Sequence, residues 1–494
     1  MMASNVSRDV SQDQSSVVQT RKPWYAFATV AAGRFVRFAS RVTKHGGSAL
    51  PGKVVEKIDP GFLTRTLGQL PLGVVLVSGT NGKTTTTRMV ASMLSDLGLK
   101  VFTNPTGSNF VRGVVSALLT EVTFGGKLDA DIAVLELDEA YAVHFVKQVK
   151  PRYALLLNVM RDQLDRFGEI DTTAKLLSHV AAATTGTVVL NREDPRIAAL
   201  AAKAPAGTTV RYFGLADDLR HYFPSDDDMA TTVSVEGMAG PLPSVSTPLS
   251  PLRGQLPSER GASAGTAEFP ADVTLTAVGD HKATFQMDSQ DYATDVKLEG
   301  VYNLYNAAAA LAVVRAVMQD NAAASKVTAA ANACAVSADE LIAAVSRVTP
   351  AFGRGEVIDV NGSPVELLLV KNPMGFRLSL ASFDPANADT MIAINDEYAD
   401  GRDMSWLWDV DFTSLRASGV AMVSGVRAWD MALRLGYDQV PVADTNTDLE
   451  QAVTAFVNAN PGTRKHIYCT YTAMLKTRAV LGRITEVRDA GVGK

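Results

Sequence analysis

Gly79-Thr80-Asn81-Gly82-Lys83-Thr84-Thr85-Thr86 stands between the apolar run Gly73-Val74-Val75-Leu76-Val77 and a helical pattern that ends near Leu97. The order reads as strand, loop, helix. Two glycines let the backbone curl, so that its N–H groups and the positive end of the helix face a polyphosphate. Lys83 supplies a point charge and Thr84 a hydroxyl suited to Mg²⁺. A plain glycine turn needs neither the lysine nor the hydroxyl at that spacing. The GxxGK[ST] pattern therefore predicts a nucleotide loop over Gly79, Thr80, Asn81, Gly82, Lys83, Thr84 and Thr85, with ATP as its ligand.

Working outward, Val101-Phe102-Thr103-Asn104, Ile132-Ala133-Val134-Leu135-Glu136-Leu137, Tyr153-Ala154-Leu155-Leu156-Leu157-Asn158 and Thr187-Val188-Val189-Leu190-Asn191 repeat one design. Each run is apolar and ends in polar residues. Strands buried on both faces and alternating with helices predict an α/β fold with a parallel sheet covered on both sides, its site along the carboxyl edge. Glu136 ends a strand that can neighbour the loop strand, where its carboxylate would join Thr84 around Mg²⁺. Asp162 and Asp165 lie at the same sheet edge or cap the helix that follows. Asn303 and Asn306, one turn apart at a helix start, either read an adenine edge or cap that helix. Arg354, between two glycines, lies in a junction that can clamp nucleotide as domains close.

Composition bounds the rest. A chain of 494 residues is long enough for two or three domains, each with its own core. With 47% hydrophobic residues, 20% charged and a net charge of −5, there is no basic field for nucleic acid. Cys334 and Cys469 are the only cysteines, which excludes a disulfide framework and suits a reducing cytoplasm. No apolar run reaches the roughly eighteen residues of a membrane-spanning helix. Residues 1–20, rich in Ser, Gln and Asp, read as a disordered tail. Residues 21–60 read as an amphipathic helical segment, with Trp24, Tyr25, Phe27, Phe35 and Phe38 among Arg34, Arg37, Arg41 and Lys44. It either packs on the first domain or lies on a membrane surface.

Residues 61–350 form the expected ATP-binding domain, with 215–290 as an insertion of short strands. Residues 355–494 begin a second α/β alternation, with strands expected at Glu366 to Val370 and Met391 to Asn395. It holds a dense run, Asp400-Gly401-Arg402-Asp403-Met404-Ser405-Trp406-Leu407-Trp408-Asp409. Tryptophans among charges on a loop are either a packing anchor or a partner interface.

Together these residues resemble the Mur ligase family, ATP-dependent enzymes that join amino acids to peptidoglycan precursors through an acyl phosphate. The loop over residues 79–85 resembles the family phosphate loop, Glu136 its magnesium acid, Asn303 and Asn306 its adenine-side asparagines, and Arg354 its interdomain arginine. The fold this implies is a Mur ligase-like central P-loop ATPase domain followed by a smaller Rossmann-like α/β domain. More narrowly, the run from Asn158 to Gly168 and the run from Asp400 to Asp409 are similar to the MurT-type branch, the ligase subunits of lipid II isoglutaminyl synthase. That resemblance implies a carbon–nitrogen ligase that amidates the D-glutamate α-carboxylate of the lipid II stem peptide, using ammonia released from glutamine by a GatD-like glutaminase subunit. An acid of the C-terminal domain, Asp400 or Asp403 with Asp396 third, would complete the partner's Cys-His pair. Lys175 matches a lysine that many relatives carry carbamylated. Gln163 stands where many have a metal-associated histidine, and Leu368-Leu369-Val370-Lys371-Asn372-Pro373 lacks their acid and histidine before Asn-Pro. The cysteine-free segment 215–290 occupies the place of a four-cysteine ribbon, so no zinc is expected. The implied location is the cytoplasm, at the inner face of the membrane. An amino-acid ligase and an ATP-binding regulatory scaffold remain the rival readings.

Overall fold

The structure is a computed structural model that describes residues 25–42, 49–104, 109–160, 170–222, 269–279, 281–298, 301–320, 336–349 and 354–487. Helices α1 (Ala26–Val42), α2 (Ala49–Ile58) and α3 (Phe62–Leu67) precede the first strand, β1 (Val74–Ser78). The chain then alternates through α4 (Lys83–Asp96), β2 (Val101–Thr103), α5 (Val111–Glu121), β3 (Ile132–Glu136), α6 (Glu139–Val146) and β4 (Tyr153–Leu156). It continues through α7 (Ile170–Ala183), β5 (Thr187–Asn191), α8 (Pro195–Ala198) and β6 (Thr209–Leu215). Strands β7 (Val273–Gly279), β8 (Lys282–Met287) and β9 (Gln290–Asp295) complete a nine-stranded sheet in the order β2-β3-β1-β4-β5-β6-β7-β8-β9. It is parallel from β2 to β7, and β8 and β9 are antiparallel additions.

Alternation along the strands builds two cores. Val75, Val77, Val134, Leu155 and Val189 meet α4 and helix α9 (Val301–Met318) on one face. Val74, Leu76, Leu135, Leu156 and Leu190 meet α5 and α7 on the other. Successive side chains of a strand point to opposite faces, so continuous apolar runs are what two covered faces require. Helix α9 is, among the described residues, the one helix long and apolar enough to cross a membrane, and 89% of it is buried inside the domain. Its run Ala307 to Ala310 lets backbone approach the sheet closely. The N-terminal helices pack in the same way. A Cβ at Gly33 of α1 would fall 2.7 Å from Leu119 of α5 and 2.8 Å from Val55 of α2.

Helix α10 (Ala338–Arg347) leads to the second sheet. Strands β10 (Arg354–Val360) and β11 (Ser363–Leu369) form an antiparallel hairpin, followed by α11 (Pro373–Ser382), β12 (Ala388–Ala393), β13 (Met422–Ser424) and α12 (Ala428–Tyr437). Then come β14 (Thr445–Asn446), α13 (Leu449–Asn458), β15 (Arg464–Cys469) and α14 (Tyr471–Ile484). The order β10-β11-β15-β12-β13-β14 inserts the last strand between β11 and β12. The predicted α/β class, with a large parallel-rich sheet and a smaller second sheet, is the one the chain forms.

Two details differ from the sequence reading. Arg354 opens a strand, its backbone paired opposite Leu368, where a junction is expected. Residues 273–287, at the end of the segment read as an insertion, supply β7 and β8 and continue the main sheet. A hairpin pays no chain-crossing entropy, so a sheet edge extends this way without a helix. The rest of that insertion, residues 223–268, lies outside the described residues, as do residues 1–24, Cys334, and Asp162, Gln163 and Asp165.

Candidate active site

Strand β1 ends at Ser78, and the loop turns on Gly79 and Gly82, with φ of +134° and +84°. Both values lie where L side chains are strained. Space forbids a side chain as well: a Cβ at Gly79 would lie 3.0 Å from the backbone N and O of Asn158, and one at Gly82 would lie 2.5 Å from Asn306 Oδ1. The loop is tied to the end of β4. Thr80 N donates to Asn158 O at 2.9 Å, Asn81 N to Asn158 Oδ1 at 2.8 Å, and Asn158 Nδ2 to Asn81 O at 3.1 Å. Asn158 Nδ2 also donates to the Tyr302 hydroxyl at 3.2 Å.

Lys83 begins α4 and is buried at 6% exposure. Its ammonium donates to Gly79 O at 2.6 Å and Thr80 O at 3.2 Å, and stands 3.2 Å from Asp138 and 3.6 Å from Glu139. This is a cation held inside the loop, its charge balanced from the end of β3. One residue on, Thr84 Oγ1 donates to Glu136 Oε1 at 2.8 Å. Register accounts for the pairing, because β3 lies beside β1 with Val77 opposite Glu136. The Asn104 side chain holds the backbone of Glu136 on both sides, accepting from Glu136 N at 2.9 Å and donating to Glu136 O at 3.0 Å.

A hydroxyl and a carboxylate are hard oxygen donors of the kind Mg²⁺ takes alongside phosphate oxygens and water. Among the described residues no three His, Cys, Asp or Glu side chains converge, so a protein-only metal cage is absent there. The donor set fits a cation shared with a nucleotide.

The cleft beside the loop is lined from both sheets. Tyr302, Asn303 and Asn306 of α9 face Leu368, Lys371 and Phe383 of the C-terminal half. Asn306 is 4% exposed and its Nδ2 has no hydrogen-bond partner among the described residues. A buried amide donor without a partner at the cleft wall is a place for a ligand acceptor. Arg354 enters this region through its backbone, opposite Leu368. Two contacts close the cleft. Asn81 and Asn372 exchange side-chain amide hydrogen bonds of 3.3 and 3.0 Å, and Lys371 Nζ donates to Thr80 O at 3.0 Å.

Lys175 is exposed on α7, and among the described residues no hydrogen bond or ion pair joins its ammonium to the loop.

The acids of the C-terminal run separate by environment. Asp400 is buried at 4% exposure and accepts from Thr472 N at 2.7 Å, Thr472 Oγ1 at 2.5 Å and Glu397 N at 3.1 Å. Burial pushes its carboxyl up, against the pull of those donors. It fastens the first turn of α14. Asp403 is exposed and accepts from Ser405 N at 2.9 Å, and its bonds to Ser405 hold its carboxyl below the usual range. The tryptophans separate too. Trp406 is buried, 6.4 Å from Phe376, whereas Trp408 is 50% exposed and meets Tyr437 edge-on at 5.1 Å. Cys469 is fully buried, and burial pushes its thiol well up.

Sequence reasoning did not select Asn158, Asn372 or Tyr302 as site residues, and it offered Lys371 only as a residue facing nucleotide or substrate in place of the missing acid and histidine. Asn158 carries a signal, a polar residue closing an apolar strand. The others meet the loop only through the tertiary fold.

Comparison with known proteins fits this layout. Residues 77–238 match the Mur ligase middle domain, and residues 369–474 match the MurT ligase C-terminal domain. The MurT subunit of lipid II isoglutaminyl synthase (glutamine-hydrolyzing) from Streptococcus pneumoniae is 30% identical over 92% of this chain and 97% of its own. The protein of the same name from Staphylococcus aureus strain COL is 26% identical over 84% and 89%. Among solved structures, MurF from Acinetobacter baumannii superposes with a TM-score of 0.59 at 18% identity, over 86% of this chain and 79% of that one. MurF from Thermotoga maritima, solved in complex with ADP, gives 0.58 at 16% identity, over 86% and 83%. These two likenesses concern fold alone. With a relative 30% identical and matched across nearly its whole length, and a family model matching part of each sheet, the chain belongs to the Mur ligase family as a MurT-type subunit.

Proposed function

We propose that this chain is the ligase subunit of a two-subunit amidotransferase of peptidoglycan synthesis. It would convert the D-glutamate α-carboxylate of the lipid II stem peptide to D-isoglutamine, with ATP as phosphoryl donor and ammonia from a GatD-like glutaminase. What carries the reading is the constellation of Lys83, Thr84 and Glu136 beside a cleft closed by Lys371 and Asn372, in a chain of which 92% aligns with a MurT subunit of lipid II isoglutaminyl synthase.

A carboxylate resists ammonia until one of its oxygens becomes a leaving group. Transfer of the terminal phosphoryl group gives an acyl phosphate, and ammonia then displaces inorganic phosphate to leave the amide. The loop N–H groups and Lys83 would hold the phosphates, Asn306 and Asn303 the adenine side, and Thr84 and Glu136 would hold Mg²⁺. Bound there, the metal would neutralise charge on the transferred group. Arg354 would act from the C-terminal side. Lys175 and its carbamylation stay part of the proposal, on resemblance alone.

The division of labour has support among the described residues. A glutaminase needs an accessible thiolate, and Cys469, the cysteine among them, is buried with its thiol pushed up. Between Asp400 and Asp403 as the acid for the partner's Cys-His pair, exposure favours Asp403, because Asp400 is engaged by Thr472 and Glu397, while the third candidate, Asp396, is paired with Arg427. The exposed Trp408, Trp429 and Tyr437 beside that loop are of the residue types enriched at interfaces, and they support a glutaminase seat there. The substrate's lipid anchor would set the work at the cytoplasmic face of the membrane.

Mass spectrometry of lipid II tests the reading, after incubation with the protein, ATP, Mg²⁺ and either ammonium or glutamine, with and without a co-expressed glutaminase. The expected product carries one stem carboxylate as amide, and glutamine serves only with the partner present. Lys83→Ala should lower the rate by about 10²–10³-fold, the loss usual for one electrostatic contact to a developing charge. ATP binding without amidation from either nitrogen source, or addition of an amino acid instead, overturns the reading.

A further inference from the structure

Helix α1 carries two apolar faces where packing on the domain needs one. Ala26, Val30 and Gly33 are buried against α2 and α5. Ala28, Ala31, Phe35 and Phe38 recur at i, i+3, i+7 and i+10, which places them on one stripe of the helix. All four are exposed, Phe35 at 70% and Phe38 at 67%. A helix that only packs inward carries polar residues outward.

The neighbourhood adds to this stripe. Phe124, in the turn after α5, is 65% exposed, and Arg34 lies over its ring at 4.6 Å. Helix α2 displays Leu50 and Ile58 beside exposed Lys53 and Lys57. Over residues 26–58 the sequence places Arg34, Arg37, Arg41, Lys44, Lys53 and Lys57 against the single acid Glu56, in a chain whose net charge is −5. Glu56 is itself paired with Arg112 at 2.8 Å. Cations flanking an apolar stripe, with acid scarce, complement a surface of anionic lipid.

We propose that α1, with the Phe124 turn and the lysines of α2, is a docking face for an anionic bilayer. Phe35 and Phe38 would enter the boundary between headgroups and acyl chains, while Lys53 and Lys57 of α2 meet lipid phosphates. The helix is fixed to the domain beneath it: Arg34 donates to Leu119 O at 2.8 Å and to Val122 O at 2.5 Å, at the end of α5. Docking through α1 therefore fixes the orientation of the domain that carries the nucleotide loop. The inference rests on this surface alone and stands apart from the amidation reading.

Flotation of the full chain on vesicles tests it, with phosphatidylglycerol–phosphatidylcholine vesicles against pure phosphatidylcholine. Wild type is expected to float with the anionic vesicles, to float less as salt rises, and to remain behind with the neutral ones. The double variant Phe35→Ser/Phe38→Ser should lower partitioning by about tenfold or more, with melting temperature and sedimentation coefficient unchanged. Lys53→Gln/Lys57→Gln, at exposed positions, should act in the same direction with both phenyl rings intact. Equal flotation of wild type and the serine variant, or none on anionic vesicles, overturns the proposal. So does a wild-type dimer that the serine variant dissolves, since the face would then belong to a second copy of the chain.

Discussion

Asn158 carries three of the contacts that shape the loop, through its carbonyl, its side-chain oxygen and its amide, and a fourth to Tyr302. Truncating it would leave Asn81 N and Asn81 O without these partners in a buried setting, and each such orphan costs about 1–3 kcal/mol. Asn158→Ala is therefore expected to lower the unfolding free energy by about 2 kcal/mol in denaturant titration and to weaken nucleotide binding at least tenfold by calorimetry, about 1.4 kcal/mol. Unchanged affinity would mean that the loop holds its shape through Gly79 and Gly82 alone. The meeting of Thr84 with Glu136 is legible in the amino-acid sequence, because a phosphate loop and the acid at a neighbouring strand end are each local patterns. Asn158 is visible there only as a strand's polar end, since what it bonds depends on which strand lies next to β1.

At the scale of elements, Asp400 and Asp403 are three residues apart and belong to different kinds of structure. Asp400 holds Thr472 at the start of α14, so its loss acts on folding. Its carboxyl is raised by burial, which fixes the sign of the pH effect. An acid whose folded value is raised contributes stability below its unfolded value of about 3.9, and that contribution is lost as pH rises through the folded value. Wild type minus Asp400→Asn, followed by denaturant midpoint, should therefore decline with rising pH across that acid window, and a flat difference would remove the burial account. Asp403→Ala has a different signature. Stability should hold within about 0.5 kcal/mol, as for a surface change, while glutamine-driven amidation falls and ammonium-driven amidation persists. Loss of both would assign Asp403 to the ligase chemistry instead. The sequence could not divide these acids, or Trp406 from Trp408, because the division is one of burial, set by how β15 inserts between β11 and β12.

For the whole molecule, the nucleotide loop of the large sheet is closed by residues at the carboxyl end of β11 in the small one. Asn81 and Asn372 pair across 291 positions of sequence, as do Thr80 and Lys371. Periodicity and motif reach only along the chain, so the α/β class and the alternation of the main strands with helices were readable and this junction was not. Lys371 had a readable oddity, a cation before Asn-Pro, yet nothing local tied it to a carbonyl of the loop. A hydrogen bond from a charged group is worth about 1.5–3 kcal/mol. If closure of the two sheets shapes the cleft, removing that bond costs nucleotide affinity more than it costs either fold. Lys371→Met, which keeps the apolar stem, should raise the KM for ATP by about tenfold to a hundredfold with the melting temperature little changed. Asn372→Asp keeps the side-chain oxygen that accepts Gly375 N at 2.8 Å and caps α11, but removes the amide that donates to Asn81. It should raise KM in the same direction, and small-angle scattering with ATP analogue should show a more open particle than wild type. A variant that loses turnover while KM and shape stay fixed would place Lys371 in the chemistry rather than in the closure.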